Sequence, residues 1–299
     1  MEKYNHSRKQ KVTCKIMSKK VIIASDSTTD LNNELIKRYD IKIVPLTVNL
    51  GGEQYTDGID INPDMIYKYY EDNGVLPKTA APNISDFEDF FAEYTADGEE
   101  IVFFTISSEM SSTHNNARLA AENFPGVHVV DTRNLSTGGG LLVVAAAEMA
   151  KEGKNAAEIA EACRNMTSRV DASFIIDNLE FLHKGGRCSA VAAFGANLLQ
   201  LKPCIAVHEG KMMVGKKYRG KFEINVLKYI ADRLEDGSNV NERCIFITHA
   251  GLEQEFLEGC VAKVKEIIPT AEVHITRAGC TISSHCGRST IGVLFVHKA

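Results

Sequence analysis

From Val21 onward, short apolar runs alternate with longer segments whose apolar residues recur every three to four positions. Residues 21–24 read as a strand running into the hydroxyl-rich junction Ser25-Asp26-Ser27-Thr28-Thr29-Asp30, with a helix over 31–39 beyond it. A single strand is expected over 41–50 despite Pro45, and Gly51-Gly52 turns the chain into 54–56 as a hairpin. Helices are predicted over 63–73, with proline in the first turn, and over 85–95, where Ser85 and Glu88 have capping-box spacing. The run 101–106 is apolar almost throughout, as suits a strand buried on both faces. A helix over 111–123, a strand over 127–130 and two helices near 136–152 and 155–168 follow. Strands alternating with helices predict a parallel sheet covered on both faces.

After about Val170 the pattern changes. Strands are expected at 173–176, 201–207 and 212–217, the last two paired as a hairpin across Glu209-Gly210. The helix 222–234 puts Phe222, Val226, Ile230 and Leu234 on one stripe, and Gly237 lies just past its end. A strand at 244–248, a helix at 253–267 and strands at 273–276 and 290–296 complete the chain. The expected fold is therefore α/β with two domains. A parallel-sheet N-terminal domain covers 21–170, and a mixed or antiparallel α+β C-terminal domain covers 171–299. Residues 1–20 are basic and lack an apolar core, so they read as a disordered tail rather than a signal peptide; Met17 reads well as an alternative start.

A net charge of -5 argues against nucleic acid as a partner and limits membrane contact to a transient one. No run approaches the ~18 apolar residues of a membrane-spanning helix. The eight cysteines are scattered, and no C-x-x-C occurs, so reduced thiols in a cytoplasmic protein are expected rather than disulfides or a metal site. The sequence has no G-x-S-x-G, H-E-x-x-H or Walker motif, and no G-x-G-x-x-G follows the first strand. His249 lacks partners at ligand spacing.

Where chemistry is concentrated, hydroxyls dominate. Ser107-Ser108-Glu109-Met110-Ser111-Ser112-Thr113 lies between a strand and a helix start, where unpaired backbone N–H groups and the helix dipole favour an anion. Without glycine or lysine the segment suits a small oxyanion such as a carboxylate better than a nucleotide phosphate, though it also reads as a plain capped helix. Lys78-Thr79-Ala80-Ala81-Pro82-Asn83 reads as a helix start. Gly185-Gly186-Arg187 is either a solvated turn or a device presenting a guanidinium to an anion. The cationic run Lys216 to Lys221, with Arg219, is either exposed charge or a docking surface. His285, among Ser283, Ser284 and Thr281, is either structural or able to bond an acid headgroup.

Together these segments, with Val44-Pro45-Leu46, Asp57-Gly58, Asp131-Thr132 and His285-x-Gly287, resemble the DegV family of bacterial lipid-binding proteins over nearly all of 21–299. The resemblance implies a DegV-like fold with a lipid tunnel between two domains, holding a long-chain fatty acid. It implies no enzyme activity and no cofactor of the chain's own, with no metal. It also implies a partner, an ATP-binding fatty acid kinase that converts the presented acid to acyl phosphate. By resemblance Thr79, Ser111 and His285 bond the carboxylate, and Ser112 and Ser284 are further headgroup-loop candidates. Arg187 and Arg219 would face the kinase and assist docking or phosphoryl transfer. The apolar stretches 141–150 and 191–199 are compatible with a tunnel wall or with an ordinary core. One departure stands out: the family's His-x-Gly-Pro-Gly is here His285-Cys286-Gly287-Arg288-Ser289. Two rival readings remain: a hydrolase or transferase using His285 with a nearby serine, and a lipid carrier or sensor without a kinase.

Overall fold

Apolar runs and amphipathic stripes become strands and helices in the computed structural model, which describes residues 19–192 and 201–299. The basic segment up to Ser18 and most of 191–199 lie outside the described residues. In chain order the first elements are β1 (Val21–Asp26), α1 (Asn33–Tyr39), β2 (Lys42–Val44), β3 (Thr47–Leu50) and β4 (Glu53–Thr56). Next come α2 (Pro63–Asn73), β5 (Lys78–Ala80), α3 (Ile84–Thr95), β6 (Glu100–Thr105) and α4 (Thr113–Ala121). The middle of the chain holds β7 (Val127–Asp131), α5 (Thr137–Lys151), α6 (Ala156–Met166), β8 (Val170–Ile176), α7 (Glu180–Gly185) and α8 (Ser189–Ala192). The rest comprises β9 (Leu201–His208), β10 (Lys211–Arg219), α9 (Phe222–Leu234), β11 (Ile245–His249), α10 (Gln254–Ile267), β12 (Val273–Arg277), α11 (Cys280–Cys286) and β13 (Thr290–Val296).

The first sheet is parallel, in the order β2-β1-β6-β7. Its strands are apolar on both faces because both are covered. Ile22, Ile101 and Phe103 pack under α3 and α4 with Phe87 and Phe91, while Ile23, Val102 and Val130 face α5 and α6. The direction in which strands are added reverses between the parallel neighbours β1 and β6, the chain leading outward from one to β2 and from the other to β7. That reversal leaves a crevice at the carboxyl ends of both strands, where ligands of open α/β sheets bind.

The second sheet has the order β10-β9-β8-β13-β11-β12 and is antiparallel except for the β11–β12 pair. Helices α9 and α10 cover one face through Val226, Ile230, Leu257 and Val264. The other face meets α5, so this helix lies between the two sheets and is buried on nearly every side, which explains why its sequence has no polar stripe. Close packing there needs glycine: a Cβ on Gly140 would lie 2.9 Å from Leu31 and 3.0 Å from the Thr29 carbonyl. A small antiparallel sheet, β4-β3-β5, completes the set.

Three local expectations change. The strand expected over 41–50 is two strands in two different sheets, because Pro45 has no N–H to continue a ladder and marks the crossing. The cap of α3 is Asn83 rather than Ser85. Asn83 accepts from the Asp86 N–H at 3.0 Å and Asp86 accepts from the Asn83 N–H at 2.8 Å, the same reciprocal pattern two residues earlier. Within 78–83, residues 78–80 pair with β3 as a strand, and the expected helix opens only after Pro82, with Asn83 as its cap. Among the described residues no helix is long and apolar enough to cross a membrane.

Candidate functional site

A mostly apolar cavity of about 420 Å³ lies where the β6–α4 loop meets the inner face of the second sheet, a size typical of small-ligand pockets. Ile106 and Met110 line it from the first sheet's side, Phe174, Met212 and Leu294 from the second sheet, and Ile282 from α11. Residues 141–150 do not line it: they form the core between the sheets, because α5 has no face left for a ligand.

The wall also contains hydroxyls, but these are turned to partners behind it. Ser136 donates to Asp30, Thr281 to Asp57 at 2.6 Å, and Thr290 to the Cys286 carbonyl at 3.1 Å. Ser173 bonds the Tyr229 hydroxyl at 2.9 Å, and Thr248 bonds both Thr137 (2.6 Å) and Thr276 (2.8 Å). A ligand along this stretch therefore meets surface whose polar atoms are already satisfied.

A different polar group gathers around Thr79. Strand β5 is held in the small sheet by the Val48–Thr79 pairing, which aims Thr79 at α11, and its Oγ1 lies 3.0 Å from His285 Nε2. Asn116 donates to the Pro82 carbonyl at 2.8 Å, tying the start of α4 to the segment that follows Thr79. Ser111 and Ser112 line the cavity there. Ser111 shares a 2.8 Å bond with the Thr113 hydroxyl, and Ser112 makes no side-chain cap bond. This is a set of hydroxyl and N–H donors at a helix start, suited to an oxyanion.

His285 is kept neutral. Burial pushes its pKa down to about 4, and the Arg187 charge adds to the effect. Its Nδ1 is buried against the Gly185 backbone, and a Cβ on Gly185 would lie 2.6 Å from it. The Gly185-Gly186 pair is thus explained twice over. The first glycine makes room for the imidazole, and the second ends α7 in the left-handed region at φ +67.

The expected site residues divide. Thr79, Ser111, Ser112, Arg187 and His285 all border the cavity. Arg187, expected at a partner surface, is exposed yet lines the cavity, with Nη1 donating to the Gly185 carbonyl at 2.9 Å. Ser284 does not line it: the hydroxyl donates to the Cys280 carbonyl at 2.7 Å, and neighbouring helical positions point about 100° apart, so it faces away from the side of His285. Arg219 is exposed at the end of β10, opposite Leu201, and is not among the lining residues. Arg288, the departure beside His285, also points elsewhere. It stacks over Tyr67 at 4.9 Å and sits 3.7 Å from Glu71. His249 Nδ1 accepts from the Leu252 N–H at 3.0 Å, and among the described residues no cluster of three or more His, Cys, Asp or Glu could hold a metal. Reading the sequence missed α11 itself and the buried acids Asp30 and Asp57; the only trace was their place in short motifs.

Fold and cavity together define an α/β protein with two sheets around α5 and an apolar pocket ending in oxyanion donors. A family profile described as "Uncharacterised protein, DegV family" matches residues 20–298, and the chain belongs to the DegV family. It is 33% identical to a DegV domain-containing protein of Clostridium perfringens over 288 residues, covering 93% of this chain and 98% of that one. A structure described as fatty acid binding of a DegV family protein from Thermus thermophilus matches with TM-score 0.83 at 29% identity, over 93% of this chain and 100% of that chain. A stearic acid-binding protein from Eubacterium ventriosum matches with TM-score 0.80 at 26% identity, over 92% and 98% respectively.

Proposed function

We propose that this protein binds a long-chain fatty acid in the cavity and presents its carboxylate to a separate ATP-dependent kinase for acyl phosphate formation. The observation that carries the binding step is the division of the cavity's polar groups. Hydroxyls along the wall are satisfied from behind, whereas at the other end Thr79 bonds His285 and Ser111 bonds Thr113 at the cavity edge, and Ser112 beside the start of α4 makes no cap bond. Burying about fifteen methylenes at ~0.8 kcal/mol each gives roughly 12 kcal/mol of gross driving force. Lost freedom of ligand and side chains offsets much of it. A buried carboxylate would cost several kcal/mol unless hydrogen-bonded, which is the task of Thr79 and Ser111 in this reading, with His285 beside them holding the Thr79 hydroxyl through Nε2. The solved relatives described as fatty acid and stearic acid binders support the ligand class.

Presentation to a kinase rests on the family resemblance and on Arg187, a cation that both borders the cavity and is exposed. Hydrolysis by His285 is less well supported. Burial depresses the ring's basicity, and the nearby Ser283 and Ser284 hydroxyls donate to backbone carbonyls rather than to the imidazole.

Denaturing mass spectrometry of lipid extracted from purified protein tests the ligand. A stoichiometric acyl chain is expected, and a polar metabolite in its place would sink the reading. Replacing Thr79 and Ser111 together by alanine should weaken fatty acid binding by about tenfold or more, at ~1 kcal/mol per hydrogen bond. Arg219→Ala should leave binding intact and slow kinase-dependent phosphorylation.

A further inference from the structure

Two motifs singled out in the sequence, Ser25 to Asp30 and Asp57-Gly58, touch no ligand in the account above. Asp30 and Asp57 are buried and converge on the beginning of α11, the short helix that carries His285. Asp57 Oδ1 accepts from the Cys280 N–H at 2.8 Å, and its Oδ2 accepts from the Thr281 N–H at 3.1 Å and the Thr281 hydroxyl at 2.6 Å. Asp30 Oδ1 accepts from the Gly279 N–H at 2.8 Å. Three consecutive backbone N–H groups are therefore held by two carboxyl groups from the opposite half of the chain. Gly279 is pinched between them: a Cβ there would lie 3.1 Å from Asp30 Oδ1 and 3.5 Å from Asp57 Oδ1.

Both acids are themselves fixed. Ser27 donates to Asp57 Oδ2 at 3.0 Å and accepts from the Leu46 N–H at 3.1 Å, and the Asp57 N–H donates to the Leu46 carbonyl at 2.9 Å. Asp57 directly follows β4, which shares the small sheet with β5, the strand of Thr79. One rigid sheet thus supplies Thr79 directly and fixes the helix of its partner through a carboxylate.

We propose that Asp57, assisted by Asp30, is a positioning residue of the headgroup site, setting the register of α11 so that His285 meets Thr79. This rests on the fatty acid reading for its functional consequence but not for its geometry. Cys280, Thr281 and Ser283 are poor helix formers, and seven residues make a marginal helix in isolation, so the clamp supplies what the local sequence lacks.

The experiment is a double-mutant cycle between Asp57→Ala and His285→Ala, read by stearic acid binding and by nitrogen NMR of the histidine imidazoles in unliganded protein. In the parent protein Asp57→Ala should weaken stearic acid binding about tenfold and move the His285 ring resonances. In the His285→Ala background the same substitution should change binding less than about twofold, since coupled residues are non-additive. Equal losses in both backgrounds, or unmoved His285 resonances, would overturn the assignment. Should Asp57→Ala fail to fold, Asp57→Asn is isosteric and sets an amide N–H₂ against the Cys280 or Thr281 N–H, so the same two readouts apply. If the parent protein binds no stearic acid, the ligand reading falls, and the imidazole resonances alone decide the clamp.

Discussion

Gly185→Ala is the sharpest test of the headgroup geometry, because it adds one methyl group at a known distance from one nitrogen. The new Cβ would lie 2.6 Å from His285 Nδ1, whereas ordinary contact begins near 3.4 Å, so ring or helix must yield by about 0.8 Å. The Thr79–His285 bond at 3.0 Å does not survive a shift of that size in good geometry. Its net worth is ~1 kcal/mol, which corresponds to about a fivefold loss of fatty acid affinity. With the full helix gain realised, the net loss of stability should be ~0–2 kcal/mol. Alanine gains up to ~1 kcal/mol of helix propensity over glycine, against ~1–3 kcal/mol of overpacking. Titration with stearic acid, thermal melting and imidazole NMR separate the two effects. Unchanged affinity with displaced His285 resonances would refute a role for the imidazole at the headgroup; a loss of binding that merely tracks unfolding would refute the geometric reasoning.

Two further outcomes concern the buried framework. Burial raises the Asp30 pKa to about 8 and the Asp26 pKa to about 6, so each folded carboxyl holds its proton more tightly than in the unfolded chain. Their stabilising contribution is complete below about pH 4 and is lost as pH rises, by about 6 for Asp26 and 8 for Asp30. The neutral His285 and His249, both pushed down to about 4, act oppositely and lose theirs as pH falls below about 6.5. Asp30→Asn mimics the protonated acid, so its melting temperature relative to the parent should rise between pH 5 and 8; a flat or falling difference contradicts the assignment. Gly140→Ala should destabilise the fold by ~1–3 kcal/mol in denaturant titration, since the Thr29 carbonyl and Leu31 leave no room for a methyl group. A neutral effect would mean that α5 is not clamped between the sheets.

Local signals were sufficient where the chain marks its own boundaries. Helix α2 runs from Pro63 to Asn73 and α9 from Phe222 to Leu234, as expected from a proline in the first turn and from an apolar stripe ending before Gly237. Strand β13 likewise spans Thr290–Val296 as read from its apolar run. Pattern alone failed where tertiary contacts choose between local options. Pro45 was visible, but not that β2 and β3 belong to different sheets. Ser85 and Asn83 both offer caps, and the chain uses the earlier one. The stretch 280–286 carries no helix signal because its residues favour helix weakly; it forms a helix whose first N–H groups are held by Asp30 and Asp57.

What sequence by itself determined was the alternation of buried strands and amphipathic helices, the largely apolar stretch 141–150 and the family motifs carrying Thr79, Ser111 and His285. Periodicity and hydrogen-bonding capacity are properties of neighbouring residues, so they are legible along the chain. Only the tertiary structure decided which hydroxyls are bonded behind the cavity wall and which gather around Thr79 and His285. Thr79 and His285 are 206 positions apart, and their meeting at 3.0 Å depends on a small sheet, a buried carboxylate and a missing side chain at Gly185. Such convergence is a product of packing between distant segments, and no local pattern encodes it.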